Sequence, residues 1–255
     1  MKEQKKMKII AIIQVRVGST RLPRKAMLKI LDKPIIWHIH NRLKFCHNLD
    51  EIVISTGASK NNFEIYDFAK KNNFLIFEGS ETDLIDRLYQ TAKKFQASAI
   101  VRITGDSPLV DPEIVDQVVS TFKNSSNEFD IVSNCKKPSF PYGLEVEIFS
   151  IESLKKMWLQ IKKPEIREWF PLFIEKNPEL FKILNISNSQ DLSKFRWTLD
   201  YEEDYEFIKT IYEHLYSKKQ VFVMKDILEL IKMNPKIIKI NEKYVGVKNV
   251  GMPKI

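Results

Sequence analysis

The sequence predicts an α/β fold in which a mostly parallel sheet is covered by helices on both faces. Three observations lead there. Strand-like apolar runs alternate with helix-like segments from residue 8 to residue 122. Glycine is scarce, seven in 255 residues, where average usage would supply about eighteen, and four of the seven fall just after successive strand-like runs. Hydrophobic residues at 44% and charged residues at 29% are ordinary globular proportions, enough for one large domain.

Taken in order, 8–15 is the first strand. Its apolar core at 9–13 is too short for a membrane span and ends in Gln-Val-Arg with no small-residue cleavage site, so a strand is expected here rather than a secretory leader. A helix follows at 34–45, then strand 51–55 with helix 62–71, strand 74–77 with helix 82–95, and strand 99–103 with helix 112–122. In 82–95, Leu84, Leu88, Ala92 and Phe95 recur at helical spacing, while Asp83, Asp86, Arg87, Lys93 and Lys94 supply the polar side. The second half is less regular, with strands at 129–133, 144–149 and 181–186 and helices at 152–161, 165–175, 201–216 and 223–233. Leu144, Val146 and Ile148 alternate with Glu145 and Glu147, the pattern of a strand whose polar face can line a site. With no repeat, low-complexity stretch or linker, the chain reads as a single domain. It has two halves, 7–125 and 126–241, and a tail over 242–255.

Cys46 and Cys135 lie far apart without ligand spacing, which argues against a disulfide framework or zinc site and fits reduced cytoplasm. His38 and His40, two apart, point to different faces of a helix and read as surface or packing residues rather than metal ligands. The net charge of +8 invites a nucleic-acid partner. However, the lysine pairs 70–71, 93–94, 155–156 and 218–219 mostly sit near helix ends, where cations complement the dipole and face water. Neither nucleic acid nor membrane is expected as a partner.

Gly18, Gly57, Gly79 and Gly105 mark the four strand exits, where the chain must turn or let a ligand approach the backbone. Ligands of an open α/β sheet bind beyond those ends. The richest segment there is Gln14-Val-Arg-Val-Gly-Ser-Thr-Arg-Leu-Pro-Arg-Lys25. Arg16, Arg21, Arg24 and Lys25 share this turn with Gly18, Ser19 and Thr20, a set suited to a polyphosphate. It is neither a Walker A loop nor a Gly-x-Gly-x-x-Gly turn. Asp106, after the strand ending in Gly105, is a carboxylate that can hold magnesium or cap a turn before Pro108. In Arg196-Trp-Thr-Leu-Asp-Tyr-Glu-Glu-Asp204, Asp200 stands at a strand end and is the second metal candidate. Glu202, Glu203 and Asp204 complement a helix N-terminus.

At these segments the chain resembles the cytidylyltransferases that include the 3-deoxy-manno-octulosonate and acylneuraminate enzymes, and most closely their spore-coat polysaccharide branch. The likeness runs from residue 7 to about 241. It also takes in Thr82-Asp-Leu-Ile-Asp-Arg87, residues 102–108, Pro141-Tyr-Gly-Leu-Glu-Val-Glu147 and Arg167-Glu168. It implies a Rossmann-like nucleotidyltransferase fold, CTP as donor, Mg²⁺ as cofactor, a small acidic or sugar acceptor and a homodimer with a small dimerisation arm in the later half. It implies that Arg16, Gly18, Ser19, Arg21 and Lys25 hold the triphosphate and that Asp106 and Asp200 hold the metal. Ser80, Asp83 and Arg87, near Gly79, would border the cytosine, and Arg102, Glu145, Glu147, Arg167 and Arg196 would face the acceptor. Relatives commonly continue the Arg-Glu pair with His-Val-Thr, whereas here Trp169-Phe170-Pro171 follows, a departure on the acceptor side. Other readings of the residues are a nucleotidyltransferase using another triphosphate, a glycosyltransferase on a similar sheet, and a basic RNA- or nucleotide-binding protein.

Overall fold

The structure, a computed structural model, describes residues 7–18, 21–125 and 128–247. Strands are β1 (Ile9–Gln14), β2 (Lys29–Ile30), β3 (Lys33–Pro34), β4 (Glu51–Thr56), β5 (Leu75–Glu78), β6 (Ala99–Thr104), β7 (Ile131–Ser133), β8 (Glu147–Ser150) and β9 (Ile183–Asn185). Helices are α1 (Ile35–Leu43), α2 (Phe63–Lys71), α3 (Leu84–Lys94), α4 (Pro112–Asn124), α5 (Ile151–Gln160), α6 (Pro164–Glu168), α7 (Pro171–Lys176), α8 (Glu202–Leu215) and α9 (Met224–Met233).

Seven strands form one sheet in the order β5-β4-β1-β6-β8-β7-β9, while β2 and β3 make a separate two-stranded ribbon. Within the large sheet β8 alone runs against its neighbours. Alternation along β1 divides the interior. Ile9, Ala11 and Ile13 pack against α1, α2, α4, α8 and α9, whereas Ile10 and Ile12 pack against α3, α5, α6 and α7. The chain winds from β1 through α1 to β4 and through α2 to β5 on one face. It then returns past β1 to β6 by way of α3 on the other face, as right-handed crossovers require when the winding direction reverses.

The expected elements form, with two corrections. Helix 165–175 is two helices, α6 and α7. Pro171 has no N–H to donate, and its ring would clash with the carbonyl four residues earlier, so it opens a new helix instead of continuing the old one. The 144–149 strand pairs only from Glu147. Gly143 before it has φ +113 and lies so close to residues 197–198 that an added Cβ would sit 2.5 Å from the Thr198 nitrogen. Leu144, Val146 and Ile148 are nevertheless all buried, so the alternation reports side-chain facing even where the ladder is missing. His38 and His40 are packing residues, both buried on α1 and not at the surface. His38 bonds the Ile30 carbonyl and His40 stacks on Phe74 with ring centroids 3.6 Å apart.

Candidate functional site

Because β4 and β6 flank β1 and are reached by crossovers on opposite faces, the ends of β1 and β6 border the point where the winding reverses. The two strands leave the sheet in close contact. The Gly105 amide donates to the Gln14 carbonyl (2.9 Å), and an added Cβ on Gly105 would meet Val15 Cγ2 at 2.8 Å. At Gly18, by contrast, an added Cβ would meet no atom within 4 Å among the described residues.

Asp106 is stitched to the segment before α8, for its carbonyl accepts from the Leu199 amide (2.8 Å) and the Thr198 hydroxyl (3.2 Å). That brings Asp106 beside Asp200. Lys25, in a short 3-10 turn after Arg24, whose backbone is left-handed (φ 58), reaches between them. Its ammonium donates to Asp106 Oδ2 (3.1 Å), Asp200 Oδ1 (3.0 Å) and the Leu199 carbonyl (2.9 Å), using all three donors. Arg21 adds a bond to Asp200 Oδ1 at 2.7 Å.

Burial pulls the Lys25 ammonium towards its neutral form, but Asp106 and Asp200 outweigh it and hold the pKa above the usual lysine value. Burial likewise disfavours the Asp200 carboxylate, and Lys25 and Arg21 reverse that, holding its pKa below the usual range. Among the described residues no group of three or more His, Cys, Asp or Glu forms a metal cage. Two carboxylates converging on one cation fit an ion such as Mg²⁺, which takes few carboxylates and completes its shell with substrate phosphates and water.

Arg16 does not join this cluster. It donates to the Glu81 carbonyl (2.7 Å) and to Glu168 on α6 (2.5 Å). Ser19 lies outside the described residues. Arg24 is mostly exposed and pairs with Glu64.

Several expected ligand-facing residues have other employment. Arg87 is 3% exposed and donates to the Ser80 carbonyl, with the Glu81 carbonyl at 3.5 Å, so it shapes the loop after Gly79. Desolvation and the neighbouring Arg16 lower its pKa to about 10. The Ser80 hydroxyl accepts from the Asp83 amide, and Asp83 caps α3 by accepting from the Asp86 amide. Arg167 bonds Asp83 Oδ2 (2.5 Å) and the carbonyls of Trp158 and Ile161, tying the start of α3 to the end of α5. Arg196 is 4% exposed and engages Asp204 through Nε (2.9 Å) and Nη2 (2.8 Å). In the structure Arg87, Arg167 and Arg196 each make structural ties within the protein.

On the other side of the crevice, Gln14, Arg102 and Glu147 form a row across β1, β6 and β8. Arg102 donates to Gln14 Oε1 (2.9 Å) and to Glu147, and its guanidinium lies 5.5 Å from the Phe170 ring centre. Phe170, from the departing Trp-Phe-Pro stretch, is fully buried beneath it. Glu145 accepts from the Gly143 amide at 2.6 Å.

The roles of Asp204, Glu168 and Asn241 are not visible in the sequence pattern. Asp204 is completely buried, and besides Arg196 it accepts from the amides of Asp200 (3.0 Å) and Tyr201 (3.1 Å). Its position at N3 of α8 explains the Tyr201 contact as a helix cap.

A family model described as cytidylyltransferase matches residues 10–239. An uncharacterised protein of Methanocaldococcus jannaschii is 34% identical over 92% of this chain and 95% of its own. The spore coat polysaccharide biosynthesis protein SpsF of Bacillus subtilis is 27% identical over 89% and 95% respectively. A solved cytidylyltransferase from Leptospira borgpetersenii superposes with a TM-score of 0.87 at 37% identity, covering 91% of this chain and 97% of that one.

Proposed function

The chain belongs to the cytidylyltransferase family of nucleotidyltransferase enzymes, and from that membership we propose that it transfers CMP from CTP to a sugar acid or another small acidic acceptor, releasing pyrophosphate. The observation that carries the proposal is the Lys25 ammonium seated between Asp106 and Asp200 at the reversal point of the sheet. The name of the Bacillus relative supports a role in cell-surface glycan assembly, with the reaction in the cytoplasm. No helix among the described residues is long and apolar enough to cross a membrane.

In this reading residues 7–125 bind the nucleotide, and 126–241 take the acceptor and form a homodimer. Asp106 and Asp200 would hold Mg²⁺, which supplies charge neutralisation on the phosphate oxygens. Lys25 and Arg21, already facing the crevice, would exchange part of their carboxylate contacts for triphosphate oxygens. Arg16 would leave Glu168 for the same purpose. The acceptor oxygen attacks the α-phosphorus as the bond to pyrophosphate breaks. Positioning and charge stabilisation supply the acceleration, with no covalent nucleophile required. Arg102 and Glu147, locked together over Phe170, would form the acceptor wall.

The test is a panel of sugar acids, phosphorylated sugars and phosphonates incubated with Mg²⁺ and each of the four nucleoside triphosphates, reading released pyrophosphate. Release only with CTP and one acidic acceptor is the expected result. Release with another triphosphate reassigns the donor, and none from any combination removes the proposal. Light scattering of the same preparation checks the dimer, whose mass is expected to be twice that of the chain.

A further inference from the structure

Residues 240–247 lie beyond the stretch matched by the family model, yet they close over the back of Asp200. We propose that this C-terminal strap is a positioning element for the Asp200 carboxylate, acting through Arg196 and Asp204; the inference rests on Asp200 being a metal carboxylate. Asn241 is buried, and its amide donates to both the Arg196 carbonyl (3.0 Å) and Asp204 Oδ1 (2.9 Å). The Val247 carbonyl accepts from Arg196 Nη1 at 2.7 Å. The Tyr244 ring stacks on Tyr201 with centroids 3.8 Å apart and planes 2° from parallel. Together with Tyr142 these rings surround the Arg196 guanidinium at 5.6 to 5.9 Å. Lys243 adds an ion pair to Glu203 at the start of α8.

A buried arginine–aspartate pair is tolerated only when the remaining donors and lone pairs are also satisfied. Here the strap supplies the missing partners, Asn241 for Asp204 and the Val247 carbonyl for Arg196. The pair in turn fixes Asp200 twice. Asp204 accepts from the Asp200 amide (3.0 Å), and Arg196 Nη2 reaches Asp200 Oδ2 at 3.4 Å, on the oxygen opposite the one used by Lys25 and Arg21. Loosening the strap therefore frees the orientation of Asp200, and it reaches Arg21 only through Tyr201, whose ring centre lies 5.6 Å from the Arg21 guanidinium. Partners that orient metal-binding carboxylates typically contribute about 10- to 100-fold in metal affinity or activity.

The experiment compares the full chain with Asn241→Leu, Tyr244→Ala and Tyr244→Phe. Mn²⁺ is titrated into each protein and read by loss of the free-ion EPR signal, and kcat and KM for CTP are measured by pyrophosphate release. Asn241→Leu and Tyr244→Ala are expected to weaken Mn²⁺ binding about 10-fold and lower kcat comparably, with KM for CTP within about twofold. Tyr244→Phe keeps the stacked ring and is expected to behave as the parent. Folded variants with parental Mn²⁺ binding overturn the proposal, even if their melting temperatures fall, because a strap that merely adds stability would do that. Should Asn241→Leu fail to fold, the half-buried Tyr244→Ala decides alone. A parent that releases no pyrophosphate, with Mn²⁺ binding still weakened in the variants, sinks the transfer reaction but leaves the strap standing.

Discussion

Lys25 holds two carboxylates together that would otherwise repel. Replacing it by methionine removes the only ammonium that touches both among the described residues, leaving Arg21 on Asp200 alone. The Lys25→Met variant is expected to melt several degrees lower, and added Mg²⁺ is expected to recover part of the loss by taking the place of the missing cation. Thermal unfolding with and without Mg²⁺ checks this, and a variant indifferent to the ion would show that Asp106 and Asp200 do not converge on a metal. Asp106→Asn keeps the shape and removes the charge, and turnover is expected to fall by roughly 10² or more in the pyrophosphate assay. Asp106 is legible in the sequence because it follows a strand end closely, and Lys25 because it falls in the cation-rich segment after β1; Asp200, expected at a strand end, instead follows an irregular stretch in which Arg196 alone makes a bridge, to Tyr142. Asp204 is not, because an acidic residue in the first turn of a helix is ordinary. Only the fold reveals that Arg196 and Asn241, 8 and 37 residues away, converge on it. Glu168 is hidden for the same reason, since its partner Arg16 is 152 residues distant.

Among the elements, the junction of β1 and β6 carries the tightest geometric demand. A Cβ at residue 105 would lie 2.8 Å from Val15 Cγ2 and 3.1 Å from the Gln14 carbonyl, so the two strand exits must spread to accept it. Gly105→Ala is expected to cost about 1–3 kcal/mol, as overpacking usually does. It is also expected to lower turnover beyond that stability loss, because Lys25 and Asp106 sit on the two exits. Denaturant unfolding measured beside the pyrophosphate assay separates the two effects. Strand and helix periodicity located the regular elements of the first half closely, since each buries one stripe against the sheet. It failed at α6 and α7, where Pro171 overrides a continuous apolar pattern. It failed again before β8, where Gly143 and its contact with residues 197–198 dictate the backbone.

For the molecule as a whole, acid stability sums groups on α1 and at the start of α8. Burial, aided by the nearby Lys44 charge, lowers the His40 pKa to about 4, from 6.5 in an unfolded chain, and burial lowers that of His38 as well. As pH falls through 6.5 the unfolded chain gains protons that the folded one refuses, so stability is expected to drop between pH 6.5 and 4. His40 alone accounts for up to about 3 kcal/mol of this. Asp200 acts below that range. Its folded pKa lies under 3.8, so its contribution is present above 3.8 and is lost as pH falls through the folded value. Urea unfolding from pH 7 to 3 tests the first window, and His40→Gln, unable to titrate, is expected to flatten the curve there. The two-faced architecture was legible from alternation alone, whereas the pairing of the last three strands was not, because β7, β8 and β9 are only three or four residues long.

The reversal of β8 decides how the crevice is furnished. Parallel strands deliver their side chains to it from the downstream end, so each donor-side group is followed at once by a loop and a helix that must stay put. Running the other way, β8 presents Glu147 from its upstream end, after a stretch held by the Asn134 side chain at Leu144 and Val146 and by Gly143 against residues 197–198. One edge of the sheet thus receives groups from two directions, Asp106 just past the end of β6 and Glu147 at the start of β8.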